Sequence, residues 1–167
     1  MRPIEPPDAH YLLAAAGWLE LGCTEDALKE LEGISKLNRP HPDVLELQWM
    51  IHAERKDWTA ALSTAIELVN LAPERPSGWL HRAYAVRRSP EGGLQEAWDT
   101  LLAASEKFPK EMTIPYNLSC YACQMGNLEE SRKWLRLAFR IGKKDHVKKM
   151  ALSDVDLQPL WEEIKGI

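Results

Sequence analysis

Four tetrapeptides decide the architecture: Glu25-Asp26-Ala27-Leu28, Thr59-Ala60-Ala61-Leu62, Gln95-Glu96-Ala97-Trp98 and Glu129-Glu130-Ser131-Arg132. Their small residues, Ala27, Ala61, Ala97 and Ser131, are spaced by 34, 36 and 34 positions. Each tetrapeptide follows a break: Gly22, Lys56-Asp57, Gly92-Gly93 and Gly126-Asn127. Each also opens an apolar stripe in steps of three and four, such as Leu28, Leu31, Ile34 or Leu62, Ala65, Leu68, Val69. That spacing marks one face of a helix.

A second helix precedes every break, over residues 8–21, 43–55, 77–88 and 113–125. Asp8, Asp43, Ser77 and Thr113 are the expected N-caps, because a short side-chain oxygen accepts an orphan backbone N–H. Pro40, Pro73 and Pro109 follow the second helices and cannot continue them. The two extra residues of the third unit fall in the turn-rich stretch Ser89-Pro-Glu-Gly-Gly93. No segment alternates with period two, so the expected fold class is all-α.

A recurring helix–turn–helix unit of 34 residues resembles the tetratricopeptide repeat. The resemblance rests on Trp79 at the first aromatic position and on Ala15, Ala83 and Ser119 at the small position of the first helix. Ala27, Ala61, Ala97 and Ser131 fill the small position of the second helix, Ala104 and Ala138 the third small position, with Pro73 and Pro109 at the end. Trp49, Ile34 and Leu68 depart from that pattern by placing large side chains where small ones are usual. The resemblance implies a right-handed α-solenoid of four helix pairs, over about 8–41, 42–75, 76–111 and 112–143, forming one domain. A helical cap over 144–167 follows, because one helix pair cannot bury its own apolar face and a terminal unit needs a cover. In that cap Asp145–Leu152 reads as a short helix and Asp156–Ile164 as another, with Asp156 as its N-cap.

The resemblance also implies that the first helices line a concave groove. Its candidate residues are Ala9, Leu12, Leu13, Ala16 and Glu20; Asp43, Glu46, Leu47, Met50 and Glu54; Ser77, Leu80, His81, Tyr84, Arg87 and Arg88; and Thr113, Tyr116, Asn117, Cys120 and Gln124. Tyr and Arg are frequent binding anchors, and the amide of Asn117 both donates and accepts, which suits a peptide group. The implied partner is a peptide or helical segment of another protein. Family members that clamp the C-terminal carboxylate of heat-shock chaperones use two lysines, two asparagines and an arginine. The matching positions here hold Leu12, Ala16, Leu47, Ser77 and His81, or one unit on, Glu46, Met50, His81, Thr113 and Asn117, and neither set makes that clamp. Two further readings are a client-specific chaperone of the secretion type and a self-assembling scaffold, the latter docking Trp161 and a basic face onto a second copy as a homodimer.

Charge narrows the choice. The chain has 167 residues and a net charge of −4, with 45% apolar and 28% charged residues, a globular balance. No global basic field points to nucleic acid. Residues 1–75 carry a net −6, and residues 76–167 a net +2. The basic excess is concentrated between Arg132 and Lys149, where Arg132, Lys133, Arg136, Arg140, Lys143, Lys144, Lys148 and Lys149 face one acid, Asp145. A solvated helix face and a surface for an acidic partner are both consistent with it.

No apolar run reaches the length of a transmembrane helix. The run Tyr11–Leu19 reads as a core helix, since Arg2 is followed by Glu5 and Asp8 where a signal peptide is basic. Three cysteines do not make a disulfide scaffold and suit a reducing, cytoplasmic setting. Cys120-Tyr-Ala-Cys123 lies within a helix, with Cys23 and His146 far along the chain, so it reads as two small packing residues rather than a redox or zinc site. The seven tryptophans read as helix packing, Trp134 being the one most open to solvent. The five histidines are dispersed over different units, and no nucleophile or phosphate-loop motif occurs. No cofactor, metal or catalytic role is expected.

Overall fold

The computed structural model describes residues 2–167. The chain divides into two compact units, residues 1–90 and 91–167. The first holds α1 (Asp8–Glu20), α2 (Thr24–Gly33), α3 (Pro42–Glu54), α4 (Trp58–Leu71) and α5 (Pro76–Val86). The second holds α6 (Leu94–Lys107), α7 (Thr113–Gln124), α8 (Leu128–Ile141), α9 (Lys144–Ser153), a 3₁₀ segment (Val155–Leu160) and α10 (Trp161–Lys165). No strand occurs among the described residues. The division falls between the two helices of the expected third repeat, in the loop that carries its two additional residues.

One backbone device makes three of the hairpins. The amide of Cys23 bonds the carbonyl of Trp18 and that of Gly22 bonds Leu19; Asp57 and Lys56 repeat this on His52 and Ala53, and Asn127 and Gly126 on Ala122 and Cys123. This paired closure satisfies the last carbonyls of the first helix and needs a left-handed residue at its centre. Gly22 and Gly126 supply it with φ of 76° and 78°. The next residue then opens the second helix: Asp57 accepts from the Ala60 amide at 3.1 Å and Asn127 from Glu130 at 3.2 Å. In the second hairpin the left-handed position is held by Lys56, at φ 58°. A side chain there costs about 1–2 kcal/mol, partly offset by the greater chain entropy glycine loses on folding. Lys56→Gly is therefore expected to stabilise the chain by roughly 0.5–1 kcal/mol. A urea midpoint that stays put or falls would contradict the assignment.

The small residues of the 34-residue period are core residues. Ala15, Ala27, Ala61, Ala83, Ala97, Ala104, Ser119, Ser131 and Ala138 have no exposed surface. Where α7 meets α8, Ser119 donates its hydroxyl to the Ser131 carbonyl at 2.9 Å and Ser131 returns a bond to Ser119 at 2.8 Å. A polar pair survives in this core because both hydroxyls are satisfied. The large departures are also core residues: Ile34 packs with Leu31, Val44 and Ile51, Leu68 with Leu45 and Ala72, and Trp49 with Ala61, Ala65 and Ala85.

Several local expectations are corrected. Pro42 and Pro76 occupy the first helical position of α3 and α5, so the caps are His41 and Arg75, not Asp43 and Ser77. His41 caps through Nδ1, which accepts from the Asp43 amide at 3.2 Å. Asp8 and Thr113 are the first residues of their helices, behind Pro7 and Met112. Asp8 accepts instead from the Ser35 amide at 3.1 Å, the Ser35 hydroxyl at 2.5 Å and the Asn38 amide at 2.7 Å. It thereby ties the loop after α2 to the start of α1, and these bonds hold its carboxyl below the usual range. In the tail, Asp156 does not cap a continuous helix. Asp154 caps a 3₁₀ segment, accepting from Asp156 at 3.0 Å, and Pro159 within it lacks the N–H that an α-helical ladder needs. Among the tryptophans, Trp18 is exposed and Trp134 is half-buried.

Candidate functional site

Along α1 and α3 the first unit presents two stripes with identical spacing: Ala9, Leu12, Leu13, Ala16 and Asp43, Glu46, Leu47, Met50. Together with Pro3 and Ile4 of the leader they line a concavity of about 620 Å³. The leader is held in place by His41, whose Nε2 donates to the Arg2 carbonyl at 3.0 Å. Leu13 is 73% exposed and Met50 45% exposed. Helix α1 is apolar around most of its circumference, yet only Asp8 and Ala15 are buried. A helix of that composition is ordinarily covered on all sides.

The acidic groups at this concavity are largely engaged. Arg75 Nη1 lies 2.6 Å from Asp43 Oδ1 and 3.2 Å from Glu46 Oε1. The Ser77 hydroxyl donates to Glu46 at 2.7 Å. The surface is thus less acidic than its composition suggests.

Helix α5 contributes an aromatic cluster beside it. The His81 imidazole stacks on Trp49 at 3.8 Å between ring centres, 9° from parallel. Tyr84 meets Trp49 edge-on at 5.9 Å and Trp58 at 5.8 Å. The Arg88 guanidinium lies 3.5 Å over the Tyr84 ring and 5.4 Å from Trp58, and its Nη1 donates to the Tyr84 carbonyl at 3.1 Å. Arg88 is therefore committed to a cation–π contact. Tyr84 keeps 40% of its surface exposed, while Leu80 and Arg87 are half-buried.

Burial against Trp49 pushes the His81 imidazole down to about 4, and the nearby Glu46 opposes this only in part. His52 is also lowered, again chiefly by burial. In the unfolded chain both titrate near 6.5, so that chain takes up protons first as the pH falls. The stability contributed by neutral His81 is complete above about pH 6.5 and is lost as the pH falls toward 4, on the order of 2–3 kcal/mol. Urea midpoints between pH 7 and 4.5 should fall clearly less for His81→Gln than for the parent chain. Parallel profiles would refute the assignment.

The second unit places its candidates differently. Tyr116 is buried and donates its hydroxyl to Asp154 Oδ2 at 3.0 Å; Cys120 Sγ contacts the same oxygen at 3.4 Å. Gln124 Nε2 donates to the Asp156 carbonyl at 3.0 Å. These three residues face the chain's own tail, which packs along α7. Burial raises the Tyr116 phenol, helped by the neighbouring Cys120 and Asp154. Asn117 and Thr113 are half-buried on the same helix. Burial also raises the Cys123 thiol, keeping it protonated. No disulfide joins Cys23, Cys120 or Cys123, and no group of three or more His, Cys, Asp or Glu gathers for a metal among the described residues.

The basic face is likewise partly committed. Arg132 grips Glu163 with two bonds, Nε at 2.8 Å and Nη2 at 2.7 Å. Lys133 pairs with Glu130 at 3.0 Å. Arg136, Arg140 and Lys144 border a concavity of about 680 Å³, and Lys143 precedes α9. Trp161 is half-buried and donates Nε1 to the Ala151 and Asp154 carbonyls.

Solved structures with this arrangement of helices share little sequence with the chain. TTC0263, a thermophilic TPR protein of Thermus thermophilus, matches with a TM-score of 0.68 at 17% identity, over 96% of this chain and 100% of that one. The fold is that of the tetratricopeptide repeat. Two structures of MamA agree with it. The 41-end form from Desulfovibrio magneticus RS-1 has a TM-score of 0.71 at 16% identity, covering 98% and 94% of the two chains. The RS-1 ArsTM double mutant scores 0.68 at 13%, covering 90% and 80%. No protein-family model matches the sequence, and no curated protein matches it.

Within the tetratricopeptide frame, Pro3 and Ile4 line the first unit's concavity and Trp49, Trp58 and Arg75 contact residues at or beside it, without having been expected there. Trp49 carried a readable signal, a large aromatic at a position where the repeat uses a small residue. Pro3 and Ile4 carried none, because a leader has no period. No helix among the described residues is long and apolar enough to cross a membrane.

Proposed function

We propose that this chain is a non-catalytic interaction module that holds an apolar peptide or helical segment of another protein against its first unit. The observation that carries the reading is the concavity of about 620 Å³ with Leu13 and Met50 open to solvent at its surface. Covering what remains exposed contributes roughly 1–2 kcal/mol at Leu13 and about 1 kcal/mol at Met50. Leu80, His81 and Tyr84 extend the docking surface on α5, with Tyr84 as the aromatic anchor. The mode is that of a helix in a groove or an extended strand, with anchors every three to four residues. Three cysteines outside any disulfide fit a reducing compartment such as the cytoplasm.

Selection of peptides from a displayed library against the full chain tests this. The enriched peptides should be rich in Leu, Met or aromatic residues. Their affinity should drop at least tenfold for Leu13→Glu/Met50→Glu, which changes exposed positions and should leave the melting temperature nearly unaltered. Peptides that bind the double variant as tightly as the parent would overturn the reading. Light scattering on the chain alone separates it from a self-assembling scaffold.

A further inference from the structure

The second unit carries a different surface. Helix α8 buries Ser131, Leu135 and Ala138 and turns its other side outward. Lys133, Arg136 and Arg140 lie there in steps of three and four, and with Lys144 at the start of α9 they rim a concavity of about 680 Å³ floored by Phe139 and Ile167. An adjoining hollow of about 280 Å³ shares Arg136, Phe139 and Ile167 and reaches down to Leu135, Leu160 and Ile164. Ile167 is 46% exposed. The floor is therefore an apolar socket continuous with the core, not a flat charged face.

The charges around it are not balanced. Arg132 is neutralised by Glu163 and Glu129, and Lys133 by Glu130. Among the described residues no carboxylate lies within ion-pair distance of Arg136, Arg140 or Lys144. Three uncompensated cations around an apolar socket call for a ligand with complementary chemistry: a large apolar side chain flanked by carboxylates. Arginine forks match carboxylates in two-bond geometry.

We propose that this socket docks an acidic segment of a partner protein, seating one Leu, Ile or Phe on Phe139 while flanking Asp or Glu side chains pair with Arg136, Arg140 and Lys144. The surface is built wholly from residues of the second unit, so the proposal stands independently of the first unit's groove. A nucleic acid is disfavoured: backbone affinity grows with the number of phosphates neutralised, this socket offers few cations, and the chain as a whole is acidic. A membrane surface does not match a concave socket.

The test is a selection of displayed twelve-residue peptides on the full chain, counter-selected on Arg136→Glu/Arg140→Glu. Both arginines head outward from α8, and equal melting curves establish that the variant is folded. A second variant, Arg136→Gln/Arg140→Gln, removes the charge without reversing it. Expected are enriched peptides of net negative charge with one large apolar residue. Their affinity should fall at least tenfold on reversal, fall less on neutralisation, and weaken from 50 to 300 mM salt. Lys110→Glu, an exposed cation outside the socket, should change it little. Absence of acidic peptides from the selection would overturn the proposal, as would binding indifferent to both arginine variants. It would also be overturned by tighter arginine-dependent binding of a duplex oligonucleotide or phosphatidylserine vesicles, or by self-association of the parent lost on reversal, which would make a second copy the occupant.

Discussion

Trp49→Ala should lower the unfolding free energy by about 3–5 kcal/mol. Trp49 is 9% exposed and packs on Ala61, Ala65 and Ala85, with Ala53, Trp58 and Leu62 beside it. Four of those six neighbours are alanines, which have no length with which to fill the space left behind. The cavity therefore persists and the cost should lie toward the upper end of that range. His81 would also lose the ring on which it stacks. Repeat pattern alone points the other way, since alanine is an ordinary residue at this position of the tetratricopeptide unit. Denaturant unfolding followed by circular dichroism decides between them. A loss below about 1 kcal/mol would show that the alanine-walled pocket collapses or that Trp49 packs elsewhere.

Deletion of residues 155–167 should have an effect of comparable or larger size. Leu157, Leu160 and Ile164 are at most 1% exposed. Burying three such side chains contributes roughly 5–9 kcal/mol, which approaches the whole stability of an ordinary domain, about 5–15 kcal/mol. The deletion also uncovers the apolar surface around Tyr116 and Leu135 and removes the backbone partner of Gln124. The expected product is an aggregation-prone chain whose second unit no longer unfolds cooperatively. A soluble, monomeric truncation with an unchanged melting curve would show that the tail is an appendage and not part of the core.

These two cases also show what the sequence made legible. The hairpins could be read because their signals are local: a glycine or a short polar residue at the turn, alanine at the crossing, proline after the second helix. The caps of α3 and α5 were misplaced although the signal was present, because a proline at the first helical position moves the cap to the residue before it. The covering of α7 by the tail could not be read. Tyr116, Cys120 and Gln124 have the spacing of an open helix face, and their partners, Asp154 and Asp156, lie at and within a 3₁₀ segment without helical periodicity. The Trp49–His81 stack joins residues on separate helices, a distance that pattern alone does not span. The α1 and α3 positions that line the first unit's concavity were placed through the family resemblance, whereas the hollow beside α8 was visible only as charge until Phe139 and Ile167 supplied its floor.

The central claim is that recognition runs along α1, α3 and α5. Amide chemical-shift mapping of the isotope-labelled chain, titrated with the tightest apolar peptide from selection, tests it most directly. The account predicts that the shifts concentrate on residues 12–16, 46–50 and 80–84. Shifts confined to other surfaces, with those three stretches unmoved, would contradict it.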